Sequence, residues 1–395
     1  MTKFNSNSFS FKILYKSKKT NARMGLIQTP HGKIKTPAFV PCATKGTLKS
    51  LVIEDLNQIK TQIVFVNTYH VVVSCGIEII NKAGGIHKFS NLDLPIITDS
   101  GGFQIFSLKR QAQSGKSIKY NSDSPTLVKI DDGGVKFRSH INGNEFYFTP
   151  EFSIEAQQKI GADFIVAFDQ CLPAGATRKQ AERSVGRTYD WANRSIKSFN
   201  DLTIEQSNNQ KIFGVIQGGI HKDLRRKSAK DISSLPFWGL SIGGVAVGES
   251  KLQMRHQVKW VFDEIQDDPR PRHLLGVGDF DDISDCIAMG VDTFDCVSPT
   301  RLARMGRLYT NFQFPSFNFQ KKSEIDIFQH KYKNDLRPID KDCCCYSCVN
   351  YTRAYLHHLF KTRELTAYRL ATIHNLQIME NFMKNLRGQI EAGKM

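Results

Sequence analysis

Short apolar segments recur along the chain, and longer amphipathic stretches separate them. The short segments are rich in β-branched and aromatic residues, which is typical of buried strands. Three of the intervening stretches predict amphipathic helices, at Ile154–Ile160, Arg178–Phe199 and Lys251–Ile265. The predicted strands are Pro37–Pro41, Ile63–Val66, Pro95–Thr98, Asp163–Phe168, Ile212–Ile216, Gly239–Ile242, His273–Gly276 and Asp292–Asp295.

This alternation of eight strands with helices favours an α/β fold, the (β/α)8 TIM barrel. A doubly wound open sheet gives the same alternation, so the pattern alone leaves both architectures open. No internal repeat of fixed length indicates a solenoid. A last amphipathic stretch, Glu364–Ile390, predicts a long C-terminal helix whose apolar side packs on the core.

Two long polar stretches interrupt the alternation. Lys109–Gly134 is rich in Ser, Lys, Asn and Asp, and Thr310–Asp342 mixes aromatic residues with lysines. Both are long for connectors in a compact domain, so we expect them to project from the barrel rim. The sequence therefore predicts one decorated barrel domain over residues 1–395, with a polar insertion at about 109–134.

The charge of the chain favours a polyanionic partner without naming it. Its 395 residues include 54 Lys and Arg against 38 Asp and Glu, a formal net charge of +16. Arg301 and Arg304 close the segment Asp292–Arg304, and guanidinium groups suit phosphates and base edges. The N-terminus lacks a signal-peptide core and no apolar run could span a bilayer, so we expect a soluble, cytoplasmic protein without a membrane partner.

Polar residues and paired glycines follow the predicted strands. Since the carboxyl ends of barrel strands meet at one mouth, we expect them to surround a common site. Singly, each has a plainer explanation, because an Asp after a strand is often a helix N-cap and paired glycines are usually turn residues. They are Asn67, Asp99, Asp169, Gln217, Gly243, Gly244, the segment Gly276–Asp279 and Asp295.

Two carboxylates that face one site can cleave a glycosidic bond, one as the nucleophile and the other in proton transfer. Asp295 and Asp99 are the candidates. Asp169 and Gln217 could hydrogen-bond the edge of a purine-like ring. A carbohydrate glycosidase on the same barrel remains an alternative, although the aromatic residues of a sugar cleft are not evident.

Four of the 9 cysteines crowd into one short segment near the C-terminus. Cys343, Cys345 and Cys348 form C-x-C-x-x-C, and His374 follows on the predicted C-terminal helix. Three thiolates and one imidazole make a closed tetrahedral site for a single structural Zn²⁺. A chance cluster or a redox pair is the alternative, and Cys344 could replace a neighbour. We expect a zinc-binding subdomain at about 305–375.

These motifs together resemble the tRNA-guanine transglycosylase (queuine tRNA-ribosyltransferase) family, in its bacterial homodimeric branch. The likeness runs from about Gly25 to the C-terminus, in the order that the family shows. It is carried by T-P-H-G-K-I-K-T-P-A-F-V-P, N-T-Y-H, K-A-G-G-I-H-K-F, I-T-D-S-G-G-F-Q-I-F-S-L, F-R-S-H-I-N-G, A-F-D-Q-C, G-V-I-Q-G-G, I-G-G-V-A-V-G-E, L-G-V-G, F-D-C-V-S-P-T-R-L-A-R, C-x-C-x-x-C and T-I-H-N.

The resemblance implies a TIM-barrel enzyme that exchanges the wobble guanine of tRNAs with a G-U-N anticodon. A queuosine-precursor deazaguanine replaces guanine, and the phosphate backbone is not broken. A homodimer and a structural Zn²⁺ are also implied. Cys171, Val245, Val247 and Glu249 match positions where the bacterial branch accommodates aminomethyl-deazaguanine.

The resemblance further implies roles for single residues. Asp295 is the implied nucleophile that forms a covalent link to ribose, and Asp99 is the implied general acid/base. The implied base pocket comprises Ser100, Gly101, Gly102, Phe103, Asp169, Cys171, Gln217, Gly243, Gly244, Val245 and Glu249. The implied RNA contacts are Gly276, Val277, Gly278, Asp279, Phe280, Asp281, Asp282, Thr300, Arg301, Leu302, Ala303 and Arg304. The implied zinc ligands are Cys343, Cys345, Cys348 and His374.

The sequence departs from the family pattern at several places. Gln170 stands where bacterial members usually carry Glu, and Asp279-Phe280 replaces a more usual Lys-Pro or Thr-Pro. Val71–Cys75 also differs, and the stretches 109–134 and about 314–325 are longer than usual. The alternatives to a precursor-using enzyme are therefore exchange of queuine itself or a non-catalytic tRNA-binding subunit.

Overall fold

The computed structural model describes residues 9–103, 128–139, 143–201, 210–310 and 324–395. Most of the predicted insertion at 109–134 and most of the long stretch at 314–325 lie outside these ranges. The strands are β1 Ser10–Lys16, β2 Arg23–Thr29, β3 Gly32–Thr36, β4 Ala38–Pro41, β5 Val64–Val66, β6 Ile96–Thr98, β7 Val128–Ile130, β8 Val135–Arg138, β9 Glu145–Phe148, β10 Phe164–Val166, β11 Lys211–Ile216, β12 Gly239–Ile242, β13 Arg272–Leu274, β14 Thr293–Cys296, β15 Arg307–Tyr309 and β16 Glu324–Asp326.

Eight of these strands form one parallel sheet in the order β4-β14-β13-β12-β11-β10-β6-β5. A parallel bridge between Cys42 and Phe65 joins its first and last strands, so the sheet is a nearly closed barrel. All eight coincide with predicted strands, and the (β/α)8 prediction is confirmed. The carboxyl ends of these strands form what we call the mouth, and their amino ends form the floor.

Helices separate the barrel strands and lie outside them. The helix Pro150–Ile160 begins because Thr149 accepts a hydrogen bond from the Phe152 N–H and Pro150 fits the first turn. It ends at Gly161, which adopts a left-handed conformation with φ 75°. The helices are Ile53–Ile59, Thr68–Ser74, Ile77–Lys82, Ile86–Ser90, Pro150–Ile160, Arg178–Asp201, Lys222–Ser233, Lys251–Ile265, Phe280–Met289, Ser298–Arg304, Tyr346–Asn350, Arg353–Lys361 and Leu365–Glu391, with a 3₁₀ turn at His330–Tyr332.

Three small antiparallel sheets in the described residues were not predicted. β1, β2 and β3 form the first before the barrel begins, and β7, β8 and β9 form the second between β6 and the helix Pro150–Ile160. The third is the pair β15 and β16. In the second sheet Phe137 packs on Tyr69 and on Phe148, within an aromatic cluster against the barrel. The end of the predicted insertion, from 128 to 134, is therefore structured.

The long C-terminal helix packs where its apolar stripe predicted. It contacts β1, β2, β4 and the helix Ser298–Arg304, and its inward side chains are buried. It thereby connects the outer strands with the segment that follows β14. In the described residues, no helix is long and apolar enough to cross a membrane.

Candidate active site

Asp295 lies at the carboxyl end of β14 and is held mainly through one oxygen. Its Oδ1 accepts a hydrogen bond from the Gly276 N–H at 3.1 Å and lies 3.2 Å from Nε2 of His273. Its Oδ2 lies 3.7 Å from the thiol sulfur of Cys42. Burial and the Asp295 carboxylate raise the pKa of Cys42 well above its ordinary value, so this thiol stays protonated.

Asp99 follows β6 and is held by amide donors. Its Oδ2 accepts from the side-chain amide of Asn67 at 2.6 Å. Its Oδ1 accepts from the backbone N–H groups of Thr68 at 2.9 Å and Gly101 at 3.1 Å. Asn67 and Thr68 follow β5, so two neighbouring strands orient this carboxylate at the mouth.

Asp169 follows β10 and sits in a fully buried polar pocket. Its Oδ1 accepts from the Ser100 hydroxyl at 3.1 Å, and its Oδ2 accepts from the Gln217 amide at 2.6 Å. Burial, with a smaller contribution from Asp99, raises its pKa to about 6, although these hydrogen bonds oppose the rise. An acid in this state can accept from or donate to the edge of a heterocycle near neutral pH.

The glycine pair after β12 lies directly against Gln217. A Cβ on Gly244 would stand 2.2 Å from the Gln217 side-chain oxygen, and the φ of Gly244 is +61°. The carbonyls of Gly243 and Gly244 accept from the guanidinium of Arg225 at 2.6 and 2.5 Å. Arg225 is buried, and burial lowers its pKa to about 10. Arg225 therefore fixes the backbone of the glycine pair, and Gln217 leaves no room for a side chain at either position.

The loop after this pair is shaped by one carboxylate. Glu249 accepts from the N–H groups of Ala246 at 2.5 Å and Val247 at 3.0 Å. Val245 is buried, as is Cys171, whose thiol has its pKa raised to about 12 by burial. Two of the features predicted to set base specificity therefore lie near Asp169. One is the protonated thiol of Cys171, and the other is the loop that Glu249 organises.

The segment from Ser100 to Phe103 approaches the same pocket. A Cβ on Gly102 would lie 3.0 Å from the Asp169 carbonyl oxygen, and one on Gly101 would lie 2.8 Å from the Phe148 ring. Phe103 is 51% exposed and lies at the end of the described segment. The backbone here packs closely, which accounts for both glycines.

The loop after β13 is held by ion pairs with the helix Lys251–Ile265. Lys251 lies within 2.7 Å of carboxylates of both Asp279 and Asp281, and Arg255 pairs with Asp281 and Asp282 at 2.9 and 2.7 Å. Val277 is buried, and a Cβ on Gly278 would lie 2.6 Å from Cys296. Phe280 packs on Tyr309 and Phe382. The acidic residues of this loop are therefore neutralised.

Four cations gather where β4 and β14 end. Arg301 and Arg304 lie on the helix Ser298–Arg304, and Lys45 and Lys49 follow β4. Burial and the other three cations lower the pKa of Lys49. In the described part of the chain no carboxylate pairs with any of the four. On the same helix Thr300 and Ala303 are buried and Leu302 is half-buried.

The predicted zinc ligands come together. Cys343, Cys345, Cys348 and His374 are buried, and their ligand atoms lie within 4.8 Å of one another. Nδ1 of His374 lies 3.6 Å from Sγ of Cys345 and 3.3 Å from Sγ of Cys348. Tetrahedral zinc with typical bond lengths sets a sulfur–nitrogen distance of roughly 3.5 Å. His374 Nε2 donates to the Tyr309 carbonyl at 2.6 Å, which leaves Nδ1 free to ligate. The group fits.

The sequence analysis did not predict several residues of this site. Lys45 and Lys49 follow a predicted barrel strand, so strand position could have indicated them. His273 begins a predicted barrel strand, and a histidine in a buried strand was a sequence signal for it. Arg225 lies on the side of its helix that carries Ala229 and Ile232, but an arginine among other basic residues gave no reason to expect burial.

Comparison with known proteins gives one consistent result. Residues 17–395 match the family described as TGT: Queuine tRNA-ribosyltransferase. A queuine tRNA-ribosyltransferase of Thermoanaerobacter sp. (strain X514) is 40% identical over 388 residues, 98% of this chain and 95% of the relative. Relatives of the same name from Staphylococcus aureus (strain bovine RF122 / ET3-1) and Lactococcus lactis subsp. lactis (strain IL1403) are 41% and 40% identical, over 96% and 97% of this chain and 91% and 92% of their own lengths.

Proposed function

The chain belongs to the queuine tRNA-ribosyltransferase family, a group of tRNA-modifying glycosyltransferases, and from that membership we propose its specific reaction. The chain exchanges the wobble guanine of G-U-N tRNAs for aminomethyl-deazaguanine by double displacement. The observation that supports this most is the pairing of two ordered carboxylates, Asp295 and Asp99, with a buried polar pocket around Asp169 at one barrel mouth.

Asp295 is the proposed nucleophile. Its carboxylate attacks C1′ of the ribose as the bond to guanine breaks, and guanine leaves with the electron pair and takes up a proton. The incoming base then gives up a proton, attacks C1′ and releases Asp295 as a carboxylate. Asp99 transfers these protons as general acid/base. The phosphate backbone takes no part in either step.

The base pocket distinguishes purine-like rings by their edges. Asp169 and Gln217 present a carboxyl group and an amide, 2.6 Å from each other, and the side-chain-free surface of Gly243 and Gly244 allows a flat ring to approach. A base can reach such a pocket only when it is flipped out of the anticodon stack. Cys171 and the loop that Glu249 organises are the proposed contacts to the aminomethyl group.

The four cations at the mouth are the proposed phosphate contacts. Lys45, Lys49, Arg301 and Arg304 lie beside the nucleophile strand and have no carboxylate partners in the described residues, so they are available to an RNA backbone. The loop Gly276–Asp282 is proposed to contact RNA through its backbone, because Lys251 and Arg255 hold its carboxylates.

Residues 305–375 are the proposed zinc-binding subdomain of the single 1–395 barrel domain, and 109–134 is its rim insertion. Cys343, Cys345, Cys348 and His374 would hold one structural Zn²⁺. The Cys345→Ser variant is expected to lose the metal, measured by elemental analysis, and to lose stability. Full zinc content in this variant would contradict the ligand assignment.

A homodimer is also proposed, formed through the zinc subdomain. Large apolar side chains on this subdomain are exposed, which is typical of a protein interface. They include Leu336 at 77%, Val349 at 69% and Leu365 at 80% exposure. Sedimentation of the Val349→Glu/Leu365→Glu variant should give monomers, with Leu14→Glu as the matched control. A monomeric unaltered chain contradicts the proposal.

The reaction is tested by exchange of labelled guanine in a G-U-N tRNA, with a tRNA that carries A at the wobble position as control. Aminomethyl-deazaguanine and queuine are offered in separate chases. Displacement by aminomethyl-deazaguanine supports the proposal, and displacement by queuine alone makes this a salvage enzyme. Binding of the tRNA without any exchange shows a non-catalytic subunit instead.

A further inference from the structure

His273 is buried beside the nucleophile and has a defined hydrogen-bond direction. Its side chain is 1% exposed, and its ring stacks on Phe65 with a centroid distance of 5.9 Å. Nε2 lies 3.2 Å from Oδ1 of Asp295, and Nδ1 lies 2.9 Å from the hydroxyl of Thr293. An ionised carboxylate only accepts hydrogen bonds, so Nε2 carries a proton and donates.

The two oxygens of Asp295 therefore have different surroundings. Oδ1 receives two donors, the Gly276 N–H at 3.1 Å and His273 Nε2–H. Among the described residues, the contact to Oδ2 is the Cys42 thiol at 3.7 Å, a weak donor at long distance. One oxygen is fixed and the other is nearly free.

Resting on the proposed function, we propose that His273 is a positioning residue that fixes Oδ1 of Asp295, so that Oδ2 is the attacking oxygen. Oδ2 forms the bond to C1′ as the bond from C1′ to guanine breaks. In the covalent complex Oδ1 is the ester carbonyl and keeps both donors. When the incoming base attacks C1′, Oδ2 leaves with its electron pair, and the donors on Oδ1 stabilise the carboxylate that re-forms.

The hydroxyl of Thr293 supports this arrangement. With the proton of a neutral ring on Nε2, Nδ1 accepts from this hydroxyl at 2.9 Å, so the contact is compatible with the tautomer that donates to Asp295. Thr293 and Asp295 lie on the same strand and His273 on the next, so the strand pairing sets the geometry. In the described residues, the thiols of Cys42 and Cys296 also lie near this carboxylate, and Cys42 has Asp99 as a further charged neighbour.

The His273→Phe variant tests the proposal, because it keeps the ring volume and the stacking on Phe65 but removes both nitrogens. Loss of one donor to a carboxylate is expected to slow exchange about ten-fold. The acid limb of the kcat/KM profile should move to higher pH by about one unit, since a less stabilised carboxylate protonates more readily. The covalent RNA complex should live longer, while KM for the base should change little.

Three further variants separate positioning from structure. His273→Gln, which can still present an N–H, should restore part of the rate and of the pH profile. Thr293→Val should move the acid limb of the kcat/KM profile to higher pH by a smaller amount than His273→Phe. It replaces His273→Phe as the test if that variant does not fold. His256→Phe makes the same replacement at an exposed histidine and should change nothing.

The outcomes distinguish two failures. A normal acid limb and a normal lifetime of the covalent complex in folded His273→Phe overturn this inference and leave the proposed exchange standing. A loss of activity that appears only as a raised KM, or that Gln does not relieve at all, also overturns it. If the unaltered chain exchanges no base, the proposed function itself fails, and this inference fails with it.

Discussion

Two barrel strands carry an aspartate at each end, and the two ends of each strand behave differently. Asp292 precedes β14 at the floor and Asp295 is its next-to-last residue at the mouth; Asp163 precedes β10 and Asp169 follows it. At the floor, Arg23 donates to both oxygens of Asp292, at 2.9 and 2.6 Å. Asp163 lies between His31 and His87, at 2.9 and 3.4 Å.

The mouth carboxylates accept hydrogen bonds from uncharged groups, and Asp295 also lies beside one histidine. Hydroxyl, amide and backbone N–H groups hold Asp99 and Asp169, and Asp295 has the Gly276 N–H and His273. The pKa values of Asp163 and Asp169 show the difference. The two histidines hold the pKa of Asp163 at about 2, whereas burial raises the pKa of Asp169 to about 6. Around β10, therefore, the floor carboxylate is stabilised as an ion and the mouth carboxyl group is not.

The largest effect that separates the two ends is expected from Asp295→Asn. The amide keeps the size of the side chain but is a poor nucleophile, so exchange should fall by about 10⁴-fold or more. Stability should change little, since no cation is left unpaired. Guanine exchange and thermal unfolding of the same sample check both statements, and normal exchange would remove Asp295 from its proposed role.

Three residues earlier on the same strand segment, Asp292→Asn should have the opposite outcome. It leaves Arg23 buried without its carboxylate, which costs about 3–5 kcal/mol of unfolding free energy. Denaturant titration measures the loss, and activity per folded molecule should be nearly unchanged. A stable Asp292→Asn protein that is inactive would reverse the distinction between floor and mouth.

A pH titration of stability sharpens the comparison on β10. The folded-state pKa of Asp163, about 2, lies below its ordinary value of 3.8. Asp163 therefore stabilises the fold above about pH 4 by roughly 2 kcal/mol, and this contribution is lost as pH falls toward 2. Asp163→Asn should lower stability at pH 7 and flatten the profile in that acid window.

Asp169 should behave in the opposite sense. Its folded-state pKa, about 6, is raised from 3.8, so its contribution favours the fold below about pH 4 and is lost as pH rises through 6. Asp169→Asn should remove this loss of stability between pH 4 and 7, by up to roughly 3 kcal/mol. If the stability of Asp169→Asn depends on pH just as that of the unaltered chain does, the pKa of Asp169 is not raised in the folded state.

The smallest predicted effect concerns cations instead of carboxylates. Lys49→Ala removes one unpaired charge from the mouth, and the slope of log affinity for tRNA against log salt should fall in magnitude by about 1. Lys227→Ala is the matched control, because Lys227 is exposed but pairs with Asp231 at 2.5 Å. Equal slopes for both variants would contradict the proposed phosphate contact.

The sequence predicted the barrel well because its strands are short, buried on both sides and separated by regular helices. It placed Asp99, Asp169 and Asp295 at one mouth from topology alone. It did not predict the sheets β1–β3 and β7–β9, since their strands are half-exposed and carry no strong apolar run. Nor could it indicate the role of Arg225, because helical spacing places that residue on the buried side but does not show that it donates to the carbonyls of Gly243 and Gly244.

The central claim is that a mouth carboxylate, Asp295, bonds to the ribose. The most direct test is to quench the enzyme in detergent during turnover of a G-U-N tRNA and map the attached ribonucleotide by mass spectrometry of the peptides. Attachment at Asp295, and none in Asp295→Asn, is the predicted result. Attachment at Asp99 or at any other residue, or turnover without an adduct, would contradict the account.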